Sequence, residues 1–463
     1  MYTAIVCEIK NVRHHPNADR IKLGNAHGYQ VVIGPEVTEG TLGVFFPADG
    51  RLHEDFVLAN ELAPIKDENG TKIGGGFFDP PYYKVRAQRF RGEISEGFWI
   101  QFEAFNKFRA YLVSKGASNT NLGTLDLTLQ RDFVEGFEFT KLGEFPVCEK
   151  YLTRRTREVS ANSQKEKKGT KKKNFKNHLF LEHVETDQYK HERKNLKPGS
   201  VVRLSLKLHG TSGRYGLLPK EAESSIWQKV CLWVNRFVFR NDFSLPVEYE
   251  FLAGSRRVQL ATGTSGYHGS NDFRFEIGDR LNKGMFPGET IYGEIVGYSS
   301  VGYPIMGVHN LEKLNDKSLK KRYGSLMTYD YGCASGTCKF YIYRITQTCE
   351  DRVIELTVPQ VQKRIRELMC SVEYVPELTE PLVIKENGPD GPVLTDGRKL
   401  DDLVEELSDG PDLLGNHIRE GVVLRVEGPD GSTKFLKQKS FIFRVLEGIA
   451  KDNEEYVDTE EAA

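Results

Sequence analysis

The run Val202–Thr211 puts a lysine and a histidine on one side of a strand whose other side is aliphatic. The aliphatic side chains alternate along this run, at Val202, Leu204, Leu206 and Leu208. Because side chains in a strand point alternately to the two faces of its sheet, we expect one face to be buried. The other face then presents Lys207 and His209 on either side of Leu208, just before the turn residue Gly210. An isolated lysine on the polar face of a strand is usually only solvated. Whether Lys207 has a function therefore depends on the residues that other strands place near it.

Other strand-like runs also carry charged residues in apolar surroundings. One apolar run contains Glu294 directly after a glycine, and another begins immediately after Glu420. Near the C-terminal end, Lys437 and Lys439 are two residues apart, so they share one face of a strand. Carboxylates in apolar runs are rarely buried without a partner or a metal ion. The sequence therefore predicts a charged pocket that combines lysines with carboxylates.

The N-terminal part of the chain consists of short β-rich runs separated by glycine-containing turns. These runs are Ala4–Ile9, Tyr29–Gly34, Thr41–Pro47 and Arg91–Ile100, the last with a turn at its start. Regularly spaced short strands are typical of a small barrel or sandwich. The stretch His15–Arg20, followed by a strand flanked by glycine, resembles the opening of OB-fold-like nucleic-acid-binding modules.

A strongly basic segment follows this β-rich region. Between Lys150 and Lys176, eleven Lys or Arg residues stand against two Glu residues, and the segment has no apolar periodicity. It is expected to be a flexible linker or an exposed loop. Two roles are open: a solvated tether, or a segment that lies along a phosphate backbone and makes binding steeply salt-dependent.

Composition limits the function classes. The total net charge is −1, so any nucleic-acid function must depend on a local basic patch. No apolar run reaches the roughly 18 residues of a membrane span, which predicts no membrane association. The odd number of seven cysteines favours a reducing, cytoplasmic location over a disulfide framework.

The region after residue 178 is a mixture of strands and helices. Apolar spacing predicts helices at Ser224–Phe239 and Val358–Met369. The Gly- and Pro-rich stretch Glu386–Pro392 is predicted to be a loop.

Motifs in this region resemble, in order, those of the covalent nucleotidyltransferases, the polynucleotide ligases and capping enzymes. The matching segments are Lys207–Thr211, Gly254–Val258, Tyr292–Glu294, Tyr341–Ile345, Glu420–Val423 and Leu436–Ser440. The general attachment motif is Lys-x-Asp-Gly, and His209 in place of the aspartate is typical of the RNA ligase 2 superfamily. With its N-terminal module, the chain is similar to the Deinococcus-type RNA ligases.

The resemblance implies that Lys207 is the nucleophile that attacks the α-phosphate of ATP and becomes adenylylated. A lysine must be neutral to attack, and at a pKa of about 10.4 only about one in 2,500 is neutral at pH 7. Lowering that pKa by about three units corresponds to about 4 kcal/mol, which nearby cations and partial burial would supply. Lys437 and Lys439 are expected to be those cations, and also to clamp the α-phosphate.

The resemblance gives the remaining site residues their expected roles. Arg256 would contact ATP or the 5′-phosphate of the substrate, and Tyr343 would stack on adenine. Glu294 would fix the ribose hydroxyls or support a metal ion. Glu420, a hard oxygen ligand, would help to hold Mg²⁺ or Mn²⁺. His209 would contact the nucleotide or metal, or would stabilise its turn.

The implied architecture is α+β and has two domains. An OB-like β-barrel that binds nucleic acid would span residues 1–145, and a basic linker or loop would span 146–177. A nucleotidyltransferase domain of antiparallel sheets with flanking helices would span 178–450, followed by an acidic tail at 451–463. Because the chain ends soon after Lys439, no C-terminal OB domain of the DNA ligase or capping enzyme type is expected, which favours RNA sealing.

The predicted function is an ATP-dependent RNA ligase that seals 3′-hydroxyl and 5′-phosphate ends through lysyl-adenylate and 5′-adenylylated polynucleotide intermediates. Its expected partners are ATP and RNA or an RNA-containing duplex with a nick, and it is expected to act as a monomer. Two alternatives stay open at this point: a capping-type guanylyltransferase, and a nucleic-acid-binding protein whose transferase domain is catalytically silent.

Overall fold

The computed structural model describes most of the chain. The described residues are 2–68, 72–152, 177–220, 247–260, 265–266, 269–270, 272–349, 352–368, 370–388 and 391–452. The helix predicted at Ser224–Phe239 therefore lies outside the described residues, as does most of the basic segment and of the acidic tail. The chain divides into two compact units. The first comprises Met1–Lys171, Asn310–Ser325 and Phe441–Ala463, and the second comprises Lys172–His309 and Leu326–Ser440. The domain boundaries inferred from the sequence remain predictions.

The main sheet of the first unit contains the strands that the sequence predicts. Its strand order is Gly97–Gln101, Leu42–Pro47, Ala4–His15, Ala18–Ala26 and Tyr29–Ile33, with Glu138–Phe139 also paired to Ala4–His15. All of these pairings are antiparallel. An aromatic core that includes Phe46, Phe56 and Phe105 packs beneath it. The OB-like barrel remains a prediction for this unit.

Helices and shorter strands complete the first unit. Its helices are Glu54–Ala59, Glu103–Ser114, Asn119–Arg131, Lys317–Tyr323 and Phe441–Leu446. Its shorter strands are Gly50–Leu52, Pro64–Lys66, Lys72–Gly75, Lys84–Val85, Ala87–Phe90, Glu93–Ser95, Lys141–Leu142, Phe145–Pro146, Cys148–Lys150 and Ala450–Lys451.

One sheet of the second unit, called the lysine sheet below, contains the strand that ends just before Lys207. Its order is Asp187–Gln188, Thr433–Lys439, Gly421–Glu427, Val201–Leu206, Leu382–Gly388 and Gly391–Leu394. Val202, Leu204 and Leu206 are buried, which confirms the predicted alternation. Helix Leu400–Ser408 covers this aliphatic face. The prediction of a loop at Glu386–Pro392 is wrong for the described residues of this stretch, 386–388 and 391–392, because they belong to the last two strands of this sheet.

A second sheet of the same unit, called the glutamate sheet below, contains Glu294. Its order is Gln259–Leu260, Tyr249–Gly254, Thr211–Pro219, Glu289–Gly297, Cys338–Cys349 and Arg352–Glu355, with Glu373–Tyr374 also paired to Cys338–Cys349. Helices Asp272–Asn282 and Val358–Glu367 cover one face through an apolar core. Each sheet thus buries one face under helices, which leaves the other face for polar residues.

The remaining short elements are the helix Tyr189–Glu192, the 3₁₀ turns Arg193–Asn195 and Leu311–Lys313, and the strands Ser265–Gly266, Gly269–Ser270, His309–Asn310 and Leu326–Met327. Antiparallel pairing dominates both units and helices are few, which confirms the α+β class. None of the helices that the structure describes is long and apolar enough to cross a membrane.

Candidate active site

Lys207 lies at the end of its strand and contacts a buried carboxylate. The backbone N–H of Lys207 donates to the carbonyl of Gly421 at 3.0 Å, which continues the pairing of the two strands. Its Nζ lies 2.6 Å from Oε1 of Glu420, whose side chain is 2% exposed against 20% for Lys207. The motif lysine and the motif glutamate therefore form a largely buried ion pair.

Gly421 makes this close approach possible. Its φ is +149°, in a region that favours glycine, and a Cβ built on it would lie 2.1 Å from the carbonyl oxygen of Gln438. Any side chain at this position would separate the strand that follows Glu420 from the strand of Gln438. The glycine directly after Glu420 therefore keeps the carboxylate at the strand junction.

The two motif lysines near the C-terminal end point to the same side of the lysine sheet as Lys207. In the sheet register, Lys439 pairs with Gly421 and Lys437 pairs with Val423. Leu436, the residue before Lys437, packs on the opposite, aliphatic face. Nζ of Lys439 lies 3.9 Å from the same Oε1 of Glu420 that Lys207 contacts. The structure thus brings Lys207, Glu420 and Lys439 together, with Lys437 on the same face.

His209 is buried next to this group. Its Nδ1 lies 3.8 Å from Oε2 of Glu420, and its backbone N–H donates to the hydroxyl of Tyr331. Its Nε2 lies 3.1 Å from Nε2 of His309. These contacts hold the imidazole between Glu420 and His309, an arrangement that supports both the turn and the carboxylate.

Glu294 lies on the glutamate sheet, opposite Ser212, which follows the attachment motif. The Ser212 hydroxyl donates to Oε2 of Glu294 at 3.4 Å. Burial raises the pKa of Glu294 to about 7, the charges of Lys207 and Arg256 lower it, and that of Glu420 raises it. Glu294 therefore lies within electrostatic reach of the Lys207–Glu420 pair, and its carboxyl changes charge near neutral pH.

A β-bulge sets the position of Tyr343. Tyr292 pairs with Arg344, while Gly293 pairs with Ile342, so Tyr343 is the extra residue between them. Its hydroxyl hydrogen-bonds Nδ1 of His183. Burial first, and the charge of Glu294 next, raise the pKa of the Tyr343 phenol well above its usual value. The phenol is therefore neutral and lies near Glu294.

Arg256 lies on an exposed bend after the strand Tyr249–Gly254. Its positive charge acts on Glu294, Tyr343 and His183. Its carbonyl accepts the backbone N–H of His183 at 3.2 Å. Arg256 thus belongs to the same group of residues, although its side chain is open to solvent.

The carboxylates fit a metal ion that is bound partly by substrate. Within the part of the chain that the structure describes, no group of three or more His, Cys, Asp or Glu residues is arranged to hold a metal by itself. Oε2 of Glu420, however, is buried and has no hydrogen-bond partner there. Mg²⁺ is commonly bound by one or two carboxylates plus water and substrate phosphates. Glu420, with Glu294 near it, suits this kind of binding.

Sequence reasoning missed several residues of the site. His183, His309 and Tyr331 contact Tyr343 or His209, yet no local pattern marks them. Arg214 is fully buried on the same face of the glutamate sheet as Glu294. Its number has the parity of the aliphatic residues Val202–Leu208, so the strand alternation did not mark it.

Comparison with known proteins identifies the family of the chain. The sequence family described as RNA ligase matches residues 201–446, which is more than half of the chain and includes all the motif residues above. The chain belongs to the RNA ligase family. No curated protein matches it significantly in sequence.

Solved structures show the same fold as this RNA ligase family member. An RNA ligase from Naegleria gruberi, solved as a lysine-to-alanine mutant with ATP and Mn, matches with a TM-score of 0.51 and 16% identity, over 98% of this chain and 99% of that chain. A glutamate-to-alanine mutant of the Naegleria enzyme, also with ATP and Mn, matches with a TM-score of 0.50 and 17% identity, over 94% and 96% of the two chains. At this identity the match establishes the fold.

Proposed function

We propose that this RNA ligase family member uses ATP, and that Lys207 is its nucleophile. The observation that carries the proposal is the contact of Lys207 and Lys439 with one oxygen of buried Glu420. Three motif residues from separate strands converge there on the polar face of one sheet. The Naegleria structures, which contain ATP and Mn, support this choice of nucleotide and metal.

In the first step, Nζ of Lys207 forms a bond to the α-phosphorus of ATP, and the bond to pyrophosphate breaks. The ammonium must lose a proton to solvent first, and the neighbouring cations Lys437 and Lys439 favour that loss. Lys437 and Lys439, on the same face, stabilise the negative charge that develops on the phosphate. The product is a lysyl-adenylate phosphoramidate.

The other site residues bind the nucleotide. Tyr343 stacks on adenine, Arg256 contacts the phosphates of ATP or the 5′-phosphate of the substrate, and Glu294 binds the ribose hydroxyls or supports the metal. His209 supports Glu420 and the turn that follows the nucleophile. Glu420, whose Oε2 has no hydrogen-bond partner among the described residues, would help to hold a divalent metal ion, and such an ion would neutralise phosphate charge.

The enzyme then transfers AMP to a 5′-phosphate end, and a 3′-hydroxyl displaces it to seal the strand. We propose a nick in a duplex, with RNA on the 3′-hydroxyl side, as the preferred substrate. We also propose that the protein is of the Deinococcus type, with residues 1–145 as an OB-like nucleic-acid-binding domain and the basic segment along the phosphate backbone. The motif order and the β-rich first unit support this assignment.

The proposal includes a reducing cellular location, the cytoplasm, and a monomeric state. No disulfide joins any two of the cysteines that the structure describes, which is consistent with a reducing compartment. Light scattering on a sizing column tests the oligomeric state directly.

Ligation assays test the proposed reaction. Purified protein with ATP and Mg²⁺ is expected to seal a nicked duplex whose 3′-hydroxyl strand is RNA, faster than the matched all-DNA nick or single-stranded ends. Labelling by GTP but not ATP would identify a capping-type guanylyltransferase instead. The absence of any covalent nucleotide, with RNA binding intact, would identify a silent binding protein.

A further inference from the structure

His183 lies on the face of the glutamate sheet that carries Glu294. Its ring meets the ring of Tyr292 edge-on, with the centroids 5.2 Å apart, and Tyr292 and Glu294 share one face of their strand. Its Nδ1 hydrogen-bonds the hydroxyl of Tyr343. His183 thus contacts the side chain proposed to stack on the base, although it belongs to none of the motifs.

The second ring nitrogen of His183 is not used by the rest of the described structure. Nε2 is buried and has no hydrogen-bond partner among the residues that the structure describes. A buried N–H without an acceptor is rarer and costlier than an unused lone pair. The favoured tautomer therefore leaves the lone pair on Nε2 and carries its proton on Nδ1, which donates to Tyr343.

The surrounding positive charges also favour an unprotonated Nε2 on His183. Burial, followed by the charges of Arg214, Arg256 and Arg344, lowers the pKa of His183 to about 3. The imidazole is therefore neutral at physiological pH. Positive charge nearby also favours a lone pair over an N–H dipole at the buried nitrogen.

We propose that His183 reads the base of the nucleotide, with Nε2 accepting a hydrogen bond from the 6-amino group of adenine while Tyr343 stacks on the ring. This inference rests on the proposed use of ATP. Guanine has a carbonyl oxygen at the same position, so its lone pair would meet that of Nε2. A site built around a hydrogen bond to a substrate N–H discriminates against analogues that lack it, because its own polar group is left unpaired.

The test compares ATP with purine riboside triphosphate, which has hydrogen in place of the 6-amino group. The rate constant for covalent attachment to Lys207 is measured for both nucleotides at subsaturating concentration. We expect the unaltered protein to prefer ATP about tenfold, the worth of one hydrogen bond. In His183→Phe, which keeps a planar ring, the ratio is expected to fall to about one. His178→Phe, an exposed position in the same segment, is the matched control and should keep the full ratio.

Two results would overturn the inference: equal use of both nucleotides by the unaltered protein, or an undiminished preference in His183→Phe. A ratio of two substrates does not respond to a purely structural loss, which slows both equally. Should His183→Phe fail to fold, the same ratio is measured in His183→Leu, which also lacks the acceptor nitrogen. If ATP does not label Lys207 at all, the proposed function itself fails, which is a separate observation.

Discussion

The amine of Lys207 lies 2.6 Å from Oε1 of Glu420, although the two residues come from distant parts of the chain. This contact holds the motif lysine beside the motif carboxylate. An ammonium ion cannot attack phosphorus, so the pair must lose a proton before the reaction. The same carboxylate is proposed to bind the metal ion. Glu420 would then lie next to both the nucleophile and the phosphates.

Glu420→Gln is expected to weaken metal binding. A neutral amide is a poorer ligand for a hard cation than a carboxylate, so the Mg²⁺ concentration for half-maximal adenylylation should rise at least about tenfold. Glu427→Gln, on the strand that follows Glu420 but paired with Arg425, is the matched control. Titration of Mg²⁺ against the adenylylation rate measures both variants, and an unchanged midpoint in Glu420→Gln would contradict the metal role.

Removal of either C-terminal motif lysine is expected to slow adenylylation. Lys437→Ala and Lys439→Ala each take away a cation that stabilises the phosphate in the transition state, which should cost about 10²- to 10³-fold in rate. Lys434→Ala, on the same strand but paired with Glu192, should stay within about twofold. Single-turnover labelling gives the three rates, and equal losses in all three variants would refute a specific clamp.

The stability of the unliganded protein should depend on pH through Glu294. Burial raises the pKa of Glu294 from 4.5 to about 7, so the folded state binds this proton more tightly than the unfolded state. The contribution of Glu294 to stability is therefore fully present below about pH 4.5 and is lost as the pH rises to 7. In Glu294→Gln the side chain does not titrate, so this pH-dependent loss of stability is absent.

Thermal unfolding of both proteins at pH 5 and pH 8 measures the effect. Relative to the unaltered protein, Glu294→Gln should gain stability at the higher pH, by at most about 3 kcal/mol. A stability difference that is the same at both pH values would show that the Glu294 carboxyl does not titrate in this range.

Gly421→Ala is expected to destabilise the protein and abolish adenylylation. The added Cβ would lie 2.1 Å from a carbonyl oxygen, and the φ of +149° is strained for alanine. We expect a loss of at least about 2 kcal/mol in the free energy of unfolding. At Gly388, on another strand of the lysine sheet, a Cβ would meet no atom of the described residues within 4 Å. Gly388→Ala should therefore change the free energy of unfolding by less than about 0.5 kcal/mol. Chemical denaturation compares the two, and equal effects would contradict this reading.

Strand alternation predicted the parts of the site that depend on one segment. It placed Val202, Leu204 and Leu206 in the core, and the structure confirms their burial. The strand Thr433–Lys439 likewise has the predicted extended form, with its two motif lysines on one face. Period-two patterns are reliable where one face of a sheet is covered by helices and the other is polar.

Contacts between distant segments could not be predicted in this way. The partner of His183 is Tyr343, and the orientation of Tyr343 depends on a one-residue bulge that leaves no mark in the local sequence. His309 likewise meets His209 only through the tertiary fold.

The pairing of residues 386–388 with residues 391–393 was missed for a different reason. Glycine and proline there indicated a turn, but they do not show how far the flanking strands continue. Pro392 is tolerated because its strand lies at the end of the lysine sheet order, where a missing N–H costs little.

The most direct measurement is the covalent labelling of Lys207. The full-length protein is incubated with radiolabelled ATP and Mg²⁺, denatured, and tested for a label with the acid lability of a phosphoramidate; peptide mass spectrometry then locates it. We predict one AMP on the peptide that contains Lys207, and no label in Lys207→Ala, while Lys434→Ala is labelled normally. A Lys207→Ala protein that still acquires the phosphoramidate label would contradict the assignment of Lys207 as the nucleophile.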